Sequence, residues 1–253
     1  MGSIYDEQAL TELEQEENQL TEETLLLLFL LLRSTRSDLE KELRQFYQKY
    51  GKDGVVTYPE VRKWVSEKNH QRRLTWLLAS LSTNFSSLFS KMRKEFETMT
   101  TEVIKMEFEF FGVALDIPKL NWGVDDLTWL DRLADDITAW EAYIANDLKR
   151  GFLAKKNLDD ILETLDKRFL TMENITRRLA ITETTAVGSI ARKAAFKELG
   201  ITKYQYFARE DERTCEQCGA LHGLIFPISA YEPGATASPL HSNCRCFELP
   251  IRE

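Results

Sequence analysis

The sequence predicts an α+β fold that is mainly α. A body of long helices carries a small C-terminal module that contains β-strands and is closed by a cysteine–histidine staple. Three observations lead there. Leu74, Leu78, Leu81, Phe85, Leu88, Met92, Phe96, Met99, Val103, Met106 and Phe110 follow one another in steps of three and four, with a mean of 3.6 residues and no proline or glycine between them. After Gly200 the pattern changes to short aromatic or alternating stretches, and three of the six prolines fall within residues 227–239. All four cysteines and two of the three histidines lie between residues 213 and 246 of the 253.

Taken in order, residues 1–20 form an acidic leader. The net charge of −8 comes from eight acids within residues 1–32, a stretch without Lys or Arg, so the remaining 33 acids and 33 bases cancel. A neutral body behind an acidic leader argues against a broad nucleic-acid face. The start, MGSIYDEQ, is acidic and does not read as a secretory signal. The run Leu25–Leu32 is eight residues long, against about 20 for a membrane span, and reads as the buried centre of a helix.

Residues 21–117 make the long-helix region. A helix is expected over Thr21–Tyr50, with Thr21 as N-cap and Glu22 and Glu23 at the positive end of the dipole. Leu25, Leu28, Leu32, Leu39, Leu43, Phe46 and Tyr50 fall on one face, and GKDG at 51–54 ends the helix. A short helix after Pro59 precedes the long periodic one. Its stripe needs partner helices, from this chain or from another subunit. His70, at the head of that helix, reads as exposed or capping.

A break at 112–126 follows, and residues 118–200 are read as the next helical domain. Helices are expected after Asp125 and Asp126, after Asn157, and over roughly 172–199, with Gly200 as the stop. Strands are expected at 204–210 and 246–251, within a module spanning 201–253 that is too small to build much core of its own.

The chemistry concentrates in that module. Cys215-x2-Cys218 is followed by Cys244-x-Cys246, with His241 three residues before Cys244. Zinc takes four N or S ligands in a tetrahedron, usually as two pairs. A Cys-x-x-Cys turn supplies one pair, and extended Cys-x-Cys places both thiols on one face to supply the other. Structural Zn2+ on Cys215, Cys218, Cys244 and Cys246, with His241 as the alternative fourth ligand, is therefore the expected site. Disulfides need an oxidising setting, a Cys–His dyad leaves thiols surplus, and a redox CxxC lacks its βαβ surroundings. His222 reads as lining the turn before Gly223 and remains open as a ligand. Asp211, Arg213 and Arg245 read as structural, the arginines bonding loop carbonyls and Asp211.

These residues carry a resemblance. DERTCEQCGALHG followed by PLHSNCRC is similar to the signature of the phage head morphogenesis family, the minor capsid proteins typified by phage Mu protein F and SPP1 gene product 7. The family pattern is D-x-R-T-C-x-x-C-x-x-L-D-G, a loop, then P-x-H-P-N-C-R-C. Asp211, Arg213, Thr214, Cys215, Cys218, Leu221 and Gly223 match its first half. Pro239, His241, Asn243, Cys244, Arg245 and Cys246 match the second. His222 replaces Asp and Ser242 replaces Pro. In the Mu-like branch the positions of Cys215 and Cys218 hold Arg and His, an exchange a zinc ligand at Cys218 tolerates and one that weakens the case for Cys215. The resemblance covers about residues 150–250, including the Thr182–Glu183 helix.

It implies a non-enzymatic virion protein that binds the portal and enters the procapsid near the portal vertex after assembly in the host cytoplasm, influencing head assembly and genome packaging or delivery. Capsid or scaffolding protein are further implied partners, with a weak contact to packaged DNA and none to membrane. Two other classes compete. A zinc hydrolase or deaminase needs an acid near the metal, for which only Glu210, Asp211 and Glu216 are at hand, outside any HxE or HExxH pattern. A zinc-ribbon nucleic-acid binder is disfavoured by five bases against seven acids in residues 201–253.

Overall fold

The computed structural model describes residues 7–56, 71–116, 127–209 and 211–251. His70 and the helix expected after Pro59 lie outside them. Four long helices, α1 (Glu7–Tyr50), α2 (Gln71–Phe111), α3 (Trp129–Leu153) and α4 (Leu158–Glu198), precede β1 (Lys203–Phe207), a short α5 (Glu216–Leu221), β2 (Ile225–Pro227), a 3-10 turn at Ile228–Ala230 and β3 (Phe247–Ile251). The α+β, mainly α class holds.

α1 begins fourteen residues before the expected cap, since its first described turn starts at Glu7 and not at Thr21. Thr21 is buried and gives its hydroxyl to the Glu17 carbonyl at 2.8 Å and to Thr184 at 2.9 Å. The leader therefore continues the helix, because Leu10 and Leu13 extend the apolar face and are buried. At the other end Lys52 and Val55 exchange backbone hydrogen bonds around Asp53 and Gly54, both at positive φ, which closes the GKDG turn.

α2 buries Leu81, Phe85, Leu88, Met92, Phe96, Met99 and Val103 within this chain, so no other subunit is required to cover that stretch. Each such side chain contributes about 1.5–3 kcal/mol of transfer free energy. In its last turns the buried face rotates away from the expected one. Met106 and Phe110 are half-buried, while Ile104, Glu107, Phe108 and Phe111 face inward. There Arg192 of α4 binds the buried Glu107 carboxylate, while Ile104, Phe108 and Phe111 enter apolar clusters.

α3 opens on a capping box, in which Thr128 and Asp131 exchange backbone and side-chain hydrogen bonds of 2.6–3.3 Å. α4 is capped by Asn157, whose side chain accepts from the Asp160 amide at 2.9 Å. It then runs unbroken to Glu198, so the two helices expected there are one. Gly200, at φ 68°, ends it with the Ile201 amide bonded to the Phe196 carbonyl at 2.8 Å.

The three strands form an antiparallel sheet of order β2-β1-β3, with Gln205 opposite Ile225 on one side and Leu249 on the other. Two compact units can be distinguished. The first comprises Met1–Leu26, Lys94–Arg132 and Thr176–Glu253, and the second Leu27–Arg93 and Leu133–Ile175. In the second, Phe46 packs on Phe152 (5.6 Å between ring centroids), and Arg36 pairs with Asp166 at 2.7 Å. The first holds the sheet over a core of Leu10, Leu13, Phe111, Phe196, Tyr204, Tyr231, Phe247 and Leu249.

Candidate metal centre

Cys215 and Cys218 sit at the start of α5. Cys215 is its N-cap, and its Sγ accepts the Cys218 amide at 3.4 Å. The turn ahead is fixed by Asp211 and Thr214, since the Asp211 amide donates to Thr214 Oγ1 at 2.9 Å and the Arg213 amide to Asp211 Oδ1 at 2.8 Å. The second half of the cluster lies on the turn His241–Cys246, where Asn243 takes a φ of 62° and the Cys244 amide bonds the His241 carbonyl at 3.2 Å.

Five donors converge in two overlapping groups. Cys215, Cys218 and His241 form one, and Cys218, Cys244 and Cys246 the other, with the donor atoms of each group within 4.8 Å of one another. His241 Nε2 is 3.1 Å from Cys215 Sγ and 3.2 Å from Cys218 Sγ. Its Nδ1 lies 2.8 Å from the Ser242 carbonyl, which makes Nδ1 the donor and leaves the Nε2 lone pair toward the thiols. Cys218 and Cys244 sulfurs are 3.8 Å apart. Two thiolates at about 2.3 Å from a tetrahedral zinc would be separated by about that distance.

The thiols differ in their electrostatics. Burial pushes the Cys218 thiol up to about 12. Cys244 is drawn down to about 5, first by the hydrogen bond from Cys246 and then, against burial, by the Cys246 and Leu240 amides. Cys246 is pushed up, chiefly by the same bond to Cys244 and then by burial. Cys215 is also drawn down, against burial, by the Cys218 amide. So the protein environment favours the thiolate at Cys215 and Cys244 and opposes it at Cys218 and Cys246, and gathering all of them as thiolates needs a positive ion. Soft sulfur donors with one imidazole suit a zinc-like ion, and the cluster can hold a metal.

The sequence shows the surrounding residues only in part. Asp211 accepts both Arg245 guanidinium nitrogens, at 2.8 and 3.0 Å, tying one half of the cluster to the other. That bond, with the Arg213 amide, holds Asp211 down to about 2. Arg213 is exposed and, with Arg177, Arg209, His241, Asn243 and Arg245, lines a groove of about 630 Å³. His222 stands outside both donor groups: its Nδ1 accepts the Ala208 amide at 3.3 Å, and its ring packs on Phe207. Glu216 is exposed on α5.

Three contacts escaped the sequence reading. Tyr206 of β1 is buried and donates its hydroxyl toward Cys218 Sγ at 3.4 Å, with Cys244 Sγ at 3.9 Å. From α4, Thr182 Oγ1 accepts the Asn243 amide at 3.0 Å, and Thr185 Oγ1 donates to the Cys244 carbonyl at 2.7 Å. The threonine run at 182–185 and the tyrosine alternation at 204 and 206 were the available signals.

Comparison with known proteins bears on the same segment. Residues 142–248 match the family described as Phage Mu protein F like protein, so this segment is similar to that family. A Haemophilus influenzae protein described as "Uncharacterized protein" is 27% identical over 124 residues, covering 49% of this chain and 25% of that one. The chain thus spans about a quarter of that relative's length. No solved structure gives a significant match.

Proposed function

We propose that this chain, whose residues 142–248 carry the phage Mu protein F-like match, is a minor head protein that binds the portal and is incorporated into the procapsid. In that role it influences head assembly and genome packaging or delivery. The observation that carries the reading is the coincidence of the family segment with the five-donor cluster and the helix that supports it. Zinc acts there as a structural staple between the Cys215–Cys218 turn and the His241–Cys246 turn, with an apparent binding free energy on the order of 10 kcal/mol. The shell read from the sequence is Cys215, Cys218, Cys244 and Cys246, with His241 as the alternative fourth ligand. The position of Nε2 beside two thiols favours His241 as a ligand, with Cys246 then hydrogen-bonded to Cys244.

The protein works inside the capsid near the portal vertex, reached from the host cytoplasm, with capsid or scaffolding protein as further contacts. Among the described residues no helix is long and apolar enough to cross a membrane. A weak contact to packaged DNA belongs at the arginine-lined groove. Arg177, Arg209 and Arg245 there are already paired with Glu22, Glu14 and Asp211, which limits its strength.

Co-expression with the portal and capsid proteins of the same genome tests the reading. Co-purification of the chain with portal rings and its presence in assembled heads is expected. A chain that stays monomeric beside intact portal rings and is absent from heads would falsify it.

A further inference from the structure

The first compact unit buries three carboxylates around one guanidinium. Arg192 of α4 binds Glu107 of α2 through Nε and Nη2, and Glu248 of β3 through Nη1 at 3.2 Å. Glu248 also accepts the Tyr231 hydroxyl at 2.7 Å and the Ser238 amide. The third carboxylate is Glu17 of α1, whose Oε1 is fully buried and accepts no hydrogen bond from any described residue. Three charges against one leave a surplus of two in a site where an uncompensated ion is strongly disfavoured.

The position of Gly188 shows how the surplus is arranged. A Cβ at that residue of α4 would stand 3.2 Å from Glu17 Oε1 and 3.3 Å from Glu107 Oε1. The bare helix surface therefore lets two carboxyl groups from different helices meet over one spot. Two carboxylates cannot share it, whereas a carboxylic acid and a carboxylate can, through one O–H···O hydrogen bond.

We propose that Glu17 and Glu107 share a single proton, forming a buried acid pair that fastens α1 to α2 and α4 and lets go when the proton is lost. The proton supplies the donor that Glu17 Oε1 otherwise lacks. Its loss breaks the O–H bond, hands the proton to solvent base and leaves two facing anions. The other charged groups at the site do not replace it. Glu14 on α1 is engaged by Arg209 at 2.8 Å, Arg192 is already divided between Glu107 and Glu248, and Arg245 is held by Asp211. Tyr231 donates to Glu248 and stays neutral, its hydroxyl pushed up by burial and then by that carboxylate. A cavity with room for about one water, lined by Glu17, Thr185 and Arg192, gives solvent a route to the pair.

The direction follows from the environment. Burial and then the Glu107 charge raise Glu17, and burial raises Glu107 against the pull of Arg192. A carboxyl raised in the folded state contributes stability that is complete below the ordinary carboxylate range and disappears as pH climbs through the raised value. The pair thus loosens α1 on the alkaline side.

Infrared spectroscopy of the full chain at pH 7 tests this directly, because a protonated carboxyl shows a C=O stretch that carboxylates lack. The band is expected in the wild type and absent from Glu17→Gln and Glu107→Gln. The urea midpoint of the wild type should fall between pH 7 and 10, while that of Glu17→Gln, whose amide donates permanently, should stay level. Absence of the band in the wild type overturns the proposal, whether or not the variants fold. So does a Glu17→Gln protein with the wild-type alkaline loss, or a midpoint restored by added salt cations with no band present.

Discussion

Thr185 donates its hydroxyl to the Cys244 carbonyl at 2.7 Å, which fixes the backbone of a candidate ligand from a helix fifty-nine residues away in sequence. Thr182, one turn earlier, accepts the neighbouring Asn243 amide at 3.0 Å. The Cys-x-Cys turn is thus positioned by α4 as well as by its own left-handed residue.

Replacing these hydroxyls should be felt at the metal. Thr185→Val is expected to cost about 1 kcal/mol of stability, the net worth of one hydrogen bond plus a carbonyl left unpaired. It should also speed metal loss to a chelator. Thermal melts and the rate of zinc transfer to a colorimetric chelator check both, and an unchanged transfer rate would show that the turn holds itself.

Metal removal should unfold the module before the helices. Purified protein is expected to contain one zinc per chain, and chelation should lower the melting temperature of the sheet. Cys218→Ser should abolish binding, because Cys218 is common to both donor groups. With cobalt in place of zinc, the ligand-field and charge-transfer bands are expected to report three sulfurs and one nitrogen. His241→Ala should alter that spectrum and Cys246→Ser leave it nearly unchanged, whereas a four-sulfur spectrum would put Cys246 in the shell.

Asp211→Asn should weaken the module by a constant amount between pH 5 and 8. The Arg245 guanidinium, first among its causes, holds the Asp211 carboxyl down to about 2. A depressed carboxyl contributes stability that is present above its ordinary value of about 4 and is lost only as pH falls through the depressed one. Urea midpoints of both proteins across that range should run parallel, and a gap that closes by pH 5 would contradict the assignment.

The rotation of the α2 face makes a paired prediction. Phe96 is wholly buried against Trp129, with rings 5.7 Å apart, so Phe96→Ala should cost about 3–5 kcal/mol. Met106, half-buried although on the same sequence stripe, should cost clearly less on truncation to Ala, about 1 kcal/mol. Denaturant unfolding of the two variants side by side decides it.

Those two residues also mark where sequence reasoning works. From Leu81 to Val103 the positions on the stripe are themselves apolar and buried, so period alone finds the core. At Glu107 the period fails because a carboxylate is buried, and its reason, Arg192, lies eighty-five residues on. Thr21 carries the residue type of a cap, but Leu10 and Leu13 have a core to enter and the helix extends past it. The break expected near residue 172 had no glycine or proline to make it, and α4 runs through. β2 is three residues long and exists by pairing with β1, which no local pattern announces. The cysteines and His241 were legible because spacing encodes convergence. Tyr206, Thr182 and Thr185 were not, since the fold alone brings them to the sulfurs.

The peptide from Cys244 to Glu248 is gripped at both ends, by the sulfur cluster on one side and by Arg192 on the other. Mechanically it is a short rigid link between two clamps in series. A pull along β3 must open the salt-bridged clamp before any force reaches the sulfurs, and a slackened metal turn would pass its play straight to Glu248. In the position proposed above, beside a portal, such a link would carry load between the two clamps.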